Sequence, residues 1–249
     1  MWLDLPCPLV IAHRGDKSHA PENTLSAFKL AAEKGADAIE FDVKLTTDGH
    51  VIVLHDQKVD RTTDGKGDFR YFQLAALQDL DAGLWYSEQF RGERLPTLEQ
   101  VFETVGKRIY MNIELTNYAT PGDELVVKVA ELVKKHGLQE RVLFSSFFAR
   151  NLRKARALLP EVPRGLLAWP SWVGFPARIF GWHGDYFALH PYYSDVSPGL
   201  VDRLHAQGKR LNVWTVNAQD DLKRMVGLGV EGVITDDPGL ALHLLGRGN

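Results

Sequence analysis

A chain of 249 residues with 45% hydrophobic and 24% charged residues suits one large α/β domain or two small ones, not a fibrous or disordered chain. Its formal net charge of −3 excludes the basic excess that nucleic-acid-binding domains carry. Cys7 is the only cysteine, so no intrachain disulfide forms; without a basic leader or an apolar run of about eighteen residues, the expectation is a cytoplasmic protein with no stable membrane insertion.

Short β-rich runs alternate with amphipathic stretches from one end to the other. Cys7 reads as a small apolar residue at the mouth of a first strand, Leu9 to Ala12, which ends in His13-Arg14-Gly15. Asn23 is the expected N-cap of a helix carrying Leu25, Phe28, Leu30, Ala31 and Ala32 at helical spacing, with Gly35 as its stop. Ala38 to Leu45 forms a second strand, and His50 to Leu54, after the turn signal Asp48-Gly49, its hairpin partner or continuation. Residues 57 to 95 break the rhythm and read as an inserted loop or small subdomain.

The alternation then resumes. Helices are expected at 98–105, 124–135, 151–159, 199–207, 220–228 and 240–245, and strands at 109–115, 142–144, 165–168, 186–189, 211–216 and 232–234. Eight strand–helix units in this length imply a parallel (β/α)8 barrel with one small insertion between the second strand and second helix. An open doubly wound sheet is the alternative, disfavoured because no glycine-rich dinucleotide loop follows the first strand.

A barrel of this kind builds its active site at the carboxyl ends of its strands. The polar residues there are His13-Arg14, Glu40 and Asp42, His55-Asp56, Asn112 and Glu114, Ser145-Ser146, His190, and Trp214 with Asn217. Glu40 and Asp42, two apart on one strand, point to the same face, and Glu114 holds the equivalent place on the next strand. Three inward carboxylates at one level match a hard divalent ion such as Mg2+ or Ca2+, with Mn2+ also admissible; a tetrahedral zinc site is disfavoured. The competing reading is a buried carboxylate–arginine network. His13 and His55 form a natural acid–base pair, because imidazole titrates near neutrality. Arg14 can grip a phosphate, neutralise Glu40 or Asp42, or do both.

These residues resemble the glycerophosphodiester phosphodiesterase family. The likeness runs through His13-Arg14-Gly15, Pro21-Glu22-Asn23-Thr24, Glu40-Phe41-Asp42-Val43, His55-Asp56 with Arg61 to Gly65, Asn112 to Leu115, Trp214 to Asn217 and Thr235 to Pro238. The resemblance implies metal ligands at Glu40, Asp42 and Glu114, an acid and a base at His13 and His55, and phosphate held by Arg14. It also implies hydrolysis of glycerophosphodiesters such as glycerophosphocholine or glycerophosphoethanolamine. Trp214 joins the substrate-binding candidates. One departure stands out: many members carry lysine two residues after the third carboxylate, and this chain has Thr116. Lys44, on the inward face of its strand, is the candidate replacement cation. The aromatic run Trp169 to Trp182 is expected to pack as an irregular helix over the barrel wall. It could instead form an apolar lip for a lysophospholipid, which makes lysophospholipase D-like cleavage the alternative activity, or a homodimer patch.

Overall fold

Buried strands and one-sided helices close into a ring in the computed structural model, which describes residues 2–180 and 184–248. The strands are β1 (Leu9–His13), β2 (Ala38–Leu45), β3 (Val51–Val53), β4 (Tyr110–Leu115), β5 (Val142–Ser146), β6 (Arg164–Ala168), β7 (Ala188–Pro191), β8 (Arg210–Val213) and β9 (Gly232–Thr235). All but β3 run parallel, and β1 pairs with both β2 and β9, so the eight close into the expected (β/α)8 barrel. β1 pairs with β2 only as far as Glu40; beyond it, the antiparallel β3 takes the freed edge from Val43 to Leu45.

The helices are α1 (Leu25–Glu33), α2 (Leu74–Gln78), α3 (Leu98–Val105), α4 (Leu125–Lys135), α5 (Ala149–Leu158), α6 (Phe175–Phe180), α7 (Pro198–His205), α8 (Gln219–Gly227) and α9 (Pro238–Leu244). α3 shows why such segments become helices. Thr97 and Gln100 close a reciprocal capping box at its start, and Leu98, Val101, Phe102 and Val105 form one buried stripe. None of the described helices is long and apolar enough to cross a membrane.

Below the polar residues the barrel interior is filled with hydrocarbon, up to Ile234, which borders the cavity. Leu9, Ile11, Ala38, Leu143 and Ile234 cluster there with Trp2, all buried. Truncating a filled position such as Leu143 to alanine is worth about 2–5 kcal/mol. Farther up the same strands polar side chains replace them, so the barrel's carboxyl end is free for chemistry. Between Leu54 and Thr97 the chain leaves the strand–helix alternation and builds a satellite core from Ile52, Leu54, Val59, Phe69, Leu77, Ala82 and Leu95. That cluster holds this long excursion against the β2–β3 edge.

Four local expectations are corrected. Thr24, not Asn23, caps α1: its hydroxyl accepts from the Ala27 N–H, while Asn23 is left-handed at φ 58° and donates to Asp42 instead. β8 ends at Val213 although the run expected as strand continues to Val216: Trp214 keeps only an isolated parallel bridge to Tyr192, and after a cis Trp214–Thr215 bond the Val216 N–H donates to the Ile234 carbonyl at 2.9 Å. Cys7 is exposed rather than packed. The aromatic segment is helical, as 3-10 turns at 171–174 and then α6, and α6 packs on β6 with Ala177 against the core, but Trp172, Val173 and Phe175 stay exposed and add nothing to that packing. Trp182, also assigned to that segment, lies outside the described residues.

Candidate active site

A cavity of about 470 Å³ opens at the carboxyl ends of the strands, and all eight candidate residues line it: His13, Arg14, Glu40, Asp42, Lys44, His55, Glu114 and Trp214. Register explains the carboxylate cluster. Asp42 on β2 lies directly beside Glu114 on β4, and Glu40 precedes Asp42 by two on the same face. Their oxygens lie within 4.8 Å of one another.

Charge within this trio is out of balance. Burial, then the anions of Asp42 and Glu114, push the Glu40 carboxyl well above its ordinary range. Burial and Asp42 push Glu114 up to about 8. Asp42 alone stays below its ordinary value: burial acts against it, but His55, Arg14 and the Asn23 hydrogen bond outweigh that. Arg14 does not neutralise the whole cluster. Its guanidinium pairs with Glu22 at 2.7 Å and reaches Asp42 at 3.5 Å, while its backbone N–H, not its side chain, faces Glu40. Three close carboxylates with one arginine contact among them fit a divalent cation better than a closed carboxylate–arginine network.

The two histidines are built alike. The His13 Nδ1 lies 2.7 Å from Asp236 Oδ1, and the His55 Nδ1 lies 2.6 Å from Asp56 Oδ1. A carboxylate only accepts, so each Nδ1 carries the proton and each Nε2 is left for the cavity. Burial holds the His13 imidazole down to about 4 against the opposing effect of its hydrogen bond to Asp236. Asp236 is fixed in turn by Lys17 at 3.1 Å and Asn217 at 2.8 Å. Asp56 is gripped by Arg61, whose two terminal nitrogens also clamp Glu22 at 2.8 Å each. A chain of contacts therefore runs from His55 through Asp56, Arg61, Glu22 and Arg14 to Asp42.

Backbone geometry at the end of β1 serves the same arrangement. Arg14 is left-handed at φ 57° and Gly15 follows at φ 85°. A Cβ on Gly15 would meet the Ala27 Cβ at 2.7 Å, so only glycine lets α1 approach this turn.

Lys44 is buried, and burial lowers its pKa. Its ammonium donates to the Thr116 carbonyl at 3.3 Å and hydroxyl at 3.2 Å, placing the cation beside the position where the lysine was missing. His190, one of the strand-end polar residues, does not join the site. It is fully buried over Gly165, with its Nε2 3.0 Å from Asn212 Nδ2, and burial drops its pKa to about 3. A second acidic group, Asp16, His19 and Asp237, is balanced by Lys34 at 2.6 Å from Asp16.

Sequence reading did not assign roles to Glu22, Asp56, Arg61, Tyr118 or Asp236. Asp236 follows the end of β9, so the strand-end rule would have found it. Tyr118 donates to Glu114 at 2.7 Å from a loop that carries no periodic signal.

Three carboxylates, two carboxylate-oriented imidazoles and two cations in one barrel mouth define the layout of a phosphodiester hydrolase. The comparisons with known proteins agree. Residues 13–240 match the glycerophosphoryl diester phosphodiesterase family. A glycerophosphodiester phosphodiesterase of Caldanaerobacter subterraneus is 42% identical, over 96% of this chain and 98% of its own. One from Bacillus altitudinis is 36% identical, over 94% and 97%. Among solved structures, an Oleispira antarctica phosphodiesterase in complex with the product sn-glycerol-3-phosphate superposes with a TM-score of 0.88 at 33% identity, over 96% of this chain and 97% of that one. The chain belongs to the glycerophosphodiester phosphodiesterase family and is an enzyme of that activity.

Proposed function

We propose that the protein hydrolyses glycerophosphodiesters, such as glycerophosphocholine or glycerophosphoethanolamine, to sn-glycerol 3-phosphate and an alcohol, with His13 and His55 as acid and base. The observation that carries this reading is the pair of imidazoles, each locked by its own carboxylate with Nε2 turned to the cavity that the acidic trio shares. The product bound to the Oleispira relative supports the choice of substrate. Glu40, Asp42 and Glu114 would hold Mg2+, Ca2+ or Mn2+, which neutralises phosphate charge when bound. Arg14 and Lys44 hold nonbridging phosphate oxygens, and Trp214 borders the substrate. One imidazole, neutral at Nε2, takes a proton from the attacking hydroxyl, of water or of the glycerol. The other, entering protonated at Nε2 as well, donates that proton to the departing alcohol oxygen as the phosphorus–oxygen bond breaks. Where the glycerol hydroxyl attacks, water then opens the resulting cyclic phosphate with the two roles exchanged. The whole chain serves this one reaction as a single unit, with residues 57–95 as its insertion.

The test is turnover of both diesters after EDTA treatment, with each cation then restored. Cation-restored activity that is lost in His13→Ala and His55→Ala, with the fold intact, is the expected result. Full activity in either variant refutes the acid–base assignment. A second reading, cleavage of lysophospholipids at the same site, is favoured by the exposed Trp172, Val173 and Phe175 beside Trp169. Release of choline from detergent-dispersed lysophosphatidylcholine would establish it, and no cleavage would remove it.

A further inference from the structure

One wall of the cavity is made almost wholly of aromatic carbon. Tyr118 follows β4, Phe147 follows β5, Trp169 follows β6 and Trp214 follows β8, and all four line the cavity. In the ring order of the strands, β6 stands across from β1. Trp169 therefore faces the side that carries His13 and Arg14. The rings form one continuous surface. Phe147 stacks on Trp169 with centroids 3.9 Å apart and planes inclined by 19°, and it meets the edges of Trp214 at 5.8 Å and Tyr118 at 5.9 Å.

The polar atoms of the Tyr118 and Trp214 rings are engaged elsewhere. The Tyr118 hydroxyl donates to Glu114 and accepts from the Phe147 N–H at 3.0 Å. The Trp214 indole N–H donates to the His190 carbonyl at 2.7 Å. The Trp169 carbonyl accepts from Arg178, which fixes the loop through its further ion pair with Asp195. Ala119 and Leu167 add aliphatic surface between the rings, and Ser145 of β5 lines the cavity in register with Glu114. Of the carboxylates in the cavity, Glu40, Asp42 and Glu114 form the acidic trio, and Asp56 is taken by His55 and Arg61.

A diester whose phosphate lies between the trio and the cations of β1 and β2 turns one alcohol toward this wall. A primary ammonium brings three N–H donors and finds no free acceptor on the four rings, since the unpartnered oxygens of Asn112 and Ser145 stand in register with Glu40 and Glu114 instead, so burying it against the rings carries the cost of unmade hydrogen bonds. A trimethylammonium has no donor to satisfy, and its diffuse positive charge is attracted to ring faces. We propose that Tyr118, Phe147, Trp169 and Trp214 form a head-group site selective for a quaternary ammonium, so that choline diesters are the preferred substrates. This rests on the glycerophosphodiesterase reading and specifies which diesters that reading favours.

The test compares kcat/KM for glycerophosphocholine, glycerophosphoethanolamine and glycerophosphoglycerol on the cation-loaded enzyme and on Trp169→Leu, which keeps an apolar surface but removes the ring. A choline preference of roughly tenfold over ethanolamine is expected, and it should fall several-fold toward parity in the leucine variant. Equal rates on all three diesters, or a ratio unchanged by Trp169→Leu, overturns the head-group site while leaving the phosphodiesterase reading standing. If no diester turns over, that reading fails instead, and choline binding followed by tryptophan fluorescence decides the site separately. Binding that Trp169→Leu abolishes supports it; absence of binding overturns it.

Discussion

Glu114→Gln separates a cation site from a structural acid cluster by the sign of its effect. In the cation-free protein Glu114 is held up to about 8 from an ordinary 4.5, so its burial beside Asp42 opposes folding wherever the unfolded chain would ionise it. That penalty is absent below about pH 4.5 and grows as pH rises toward about 8. At pH 7 it spans roughly 2.5 pH units at about 1.36 kcal/mol each, or about 3 kcal/mol. Glutamine removes the charge and still accepts the Tyr118 hydrogen bond. In EDTA at pH 7 the variant should therefore melt above wild type by roughly 6–12 °C, taking about 2–4 °C per kcal/mol for a chain of this size. The gap should close near pH 4.5. Saturating cation reverses the order: at about one thousand times its dissociation constant it adds about 4.1 kcal/mol to wild type, more than the penalty, and much less to a variant with a ligand oxygen lost. Thermal melts with EDTA, Mg2+ and Ca2+ at pH 4.5 and 7 provide the readout. A variant no more stable than wild type in EDTA, with neither protein responding to a cation, would show that the trio is structural.

Other perturbations test the groups around this centre. Burial pushes the Glu22 carboxyl up, but hydrogen bonds and charge from Arg61 and Arg14 hold it down to about 2 from an ordinary 4.5. Its contribution, about 3 kcal/mol, is complete above pH 4.5 and declines as pH falls toward about 2. Glu22→Gln should destabilise at pH 7 by about that much in urea unfolding, and the difference should have roughly halved at pH 3; a difference independent of pH would contradict the double arginine clamp. Lys44→Met should cost roughly tenfold to a hundredfold in kcat/KM, the worth of a charge-assisted hydrogen bond, and adding Thr116→Lys should recover part of it. Activity of Lys44→Met within twofold of wild type would show that Lys44 does not contact phosphate. Asp236→Asn should leave the fold intact and lower kcat more than it raises KM, because it frees the His13 ring; a pure KM effect would indicate a substrate contact instead.

The barrel was legible because each element carried its own period. Leu98, Val101, Phe102 and Val105 are spaced for a helix, and that stripe is buried. From Ala38 to Leu45 the apolar Ile39, Phe41, Val43 and Leu45 alternate with Glu40, Asp42 and Lys44, the period of a strand with one face toward the helices and the other toward the cavity, and β2 has those bounds. What was lost lies where two residue types share a local preference. Asn23 and Thr24 both suit an N-cap; the choice was made by Asp42, nineteen residues on, which takes the asparagine amide. The run to Val216 does not reveal that the regular ladder stops at Val213 and that Trp214 keeps only a bridge to Tyr192, its indole donating to the His190 carbonyl and meeting Phe147 edge-on. His190 looked like a site residue because it ends an apolar run. Gly165, whose missing Cβ leaves room for the imidazole, keeps it in the core.

That the eight candidate residues share one cavity was legible for a related reason: alternation on a strand and the strand-end rule place each one without knowledge of its partners. Their partners obey no such rule. His13 is oriented by Asp236, 223 residues away, and the two meet only because β1 closes against β9. Glu22 meets Arg61 because a loop before α1 and a loop of the excursion after β3 converge over the barrel mouth. A site's reactive groups can thus be read strand by strand, whereas the groups that hold them in register are properties of ring closure. The same distinction bears on Thr116. Read along β4, the chain lacks a lysine; read around the ring, the neighbouring strand delivers the Lys44 ammonium to the Thr116 hydroxyl. Since phosphate responds to where a positive charge stands and not to which strand carries it, a missing motif residue weakens the case for function only when no neighbouring strand can place the same charge there.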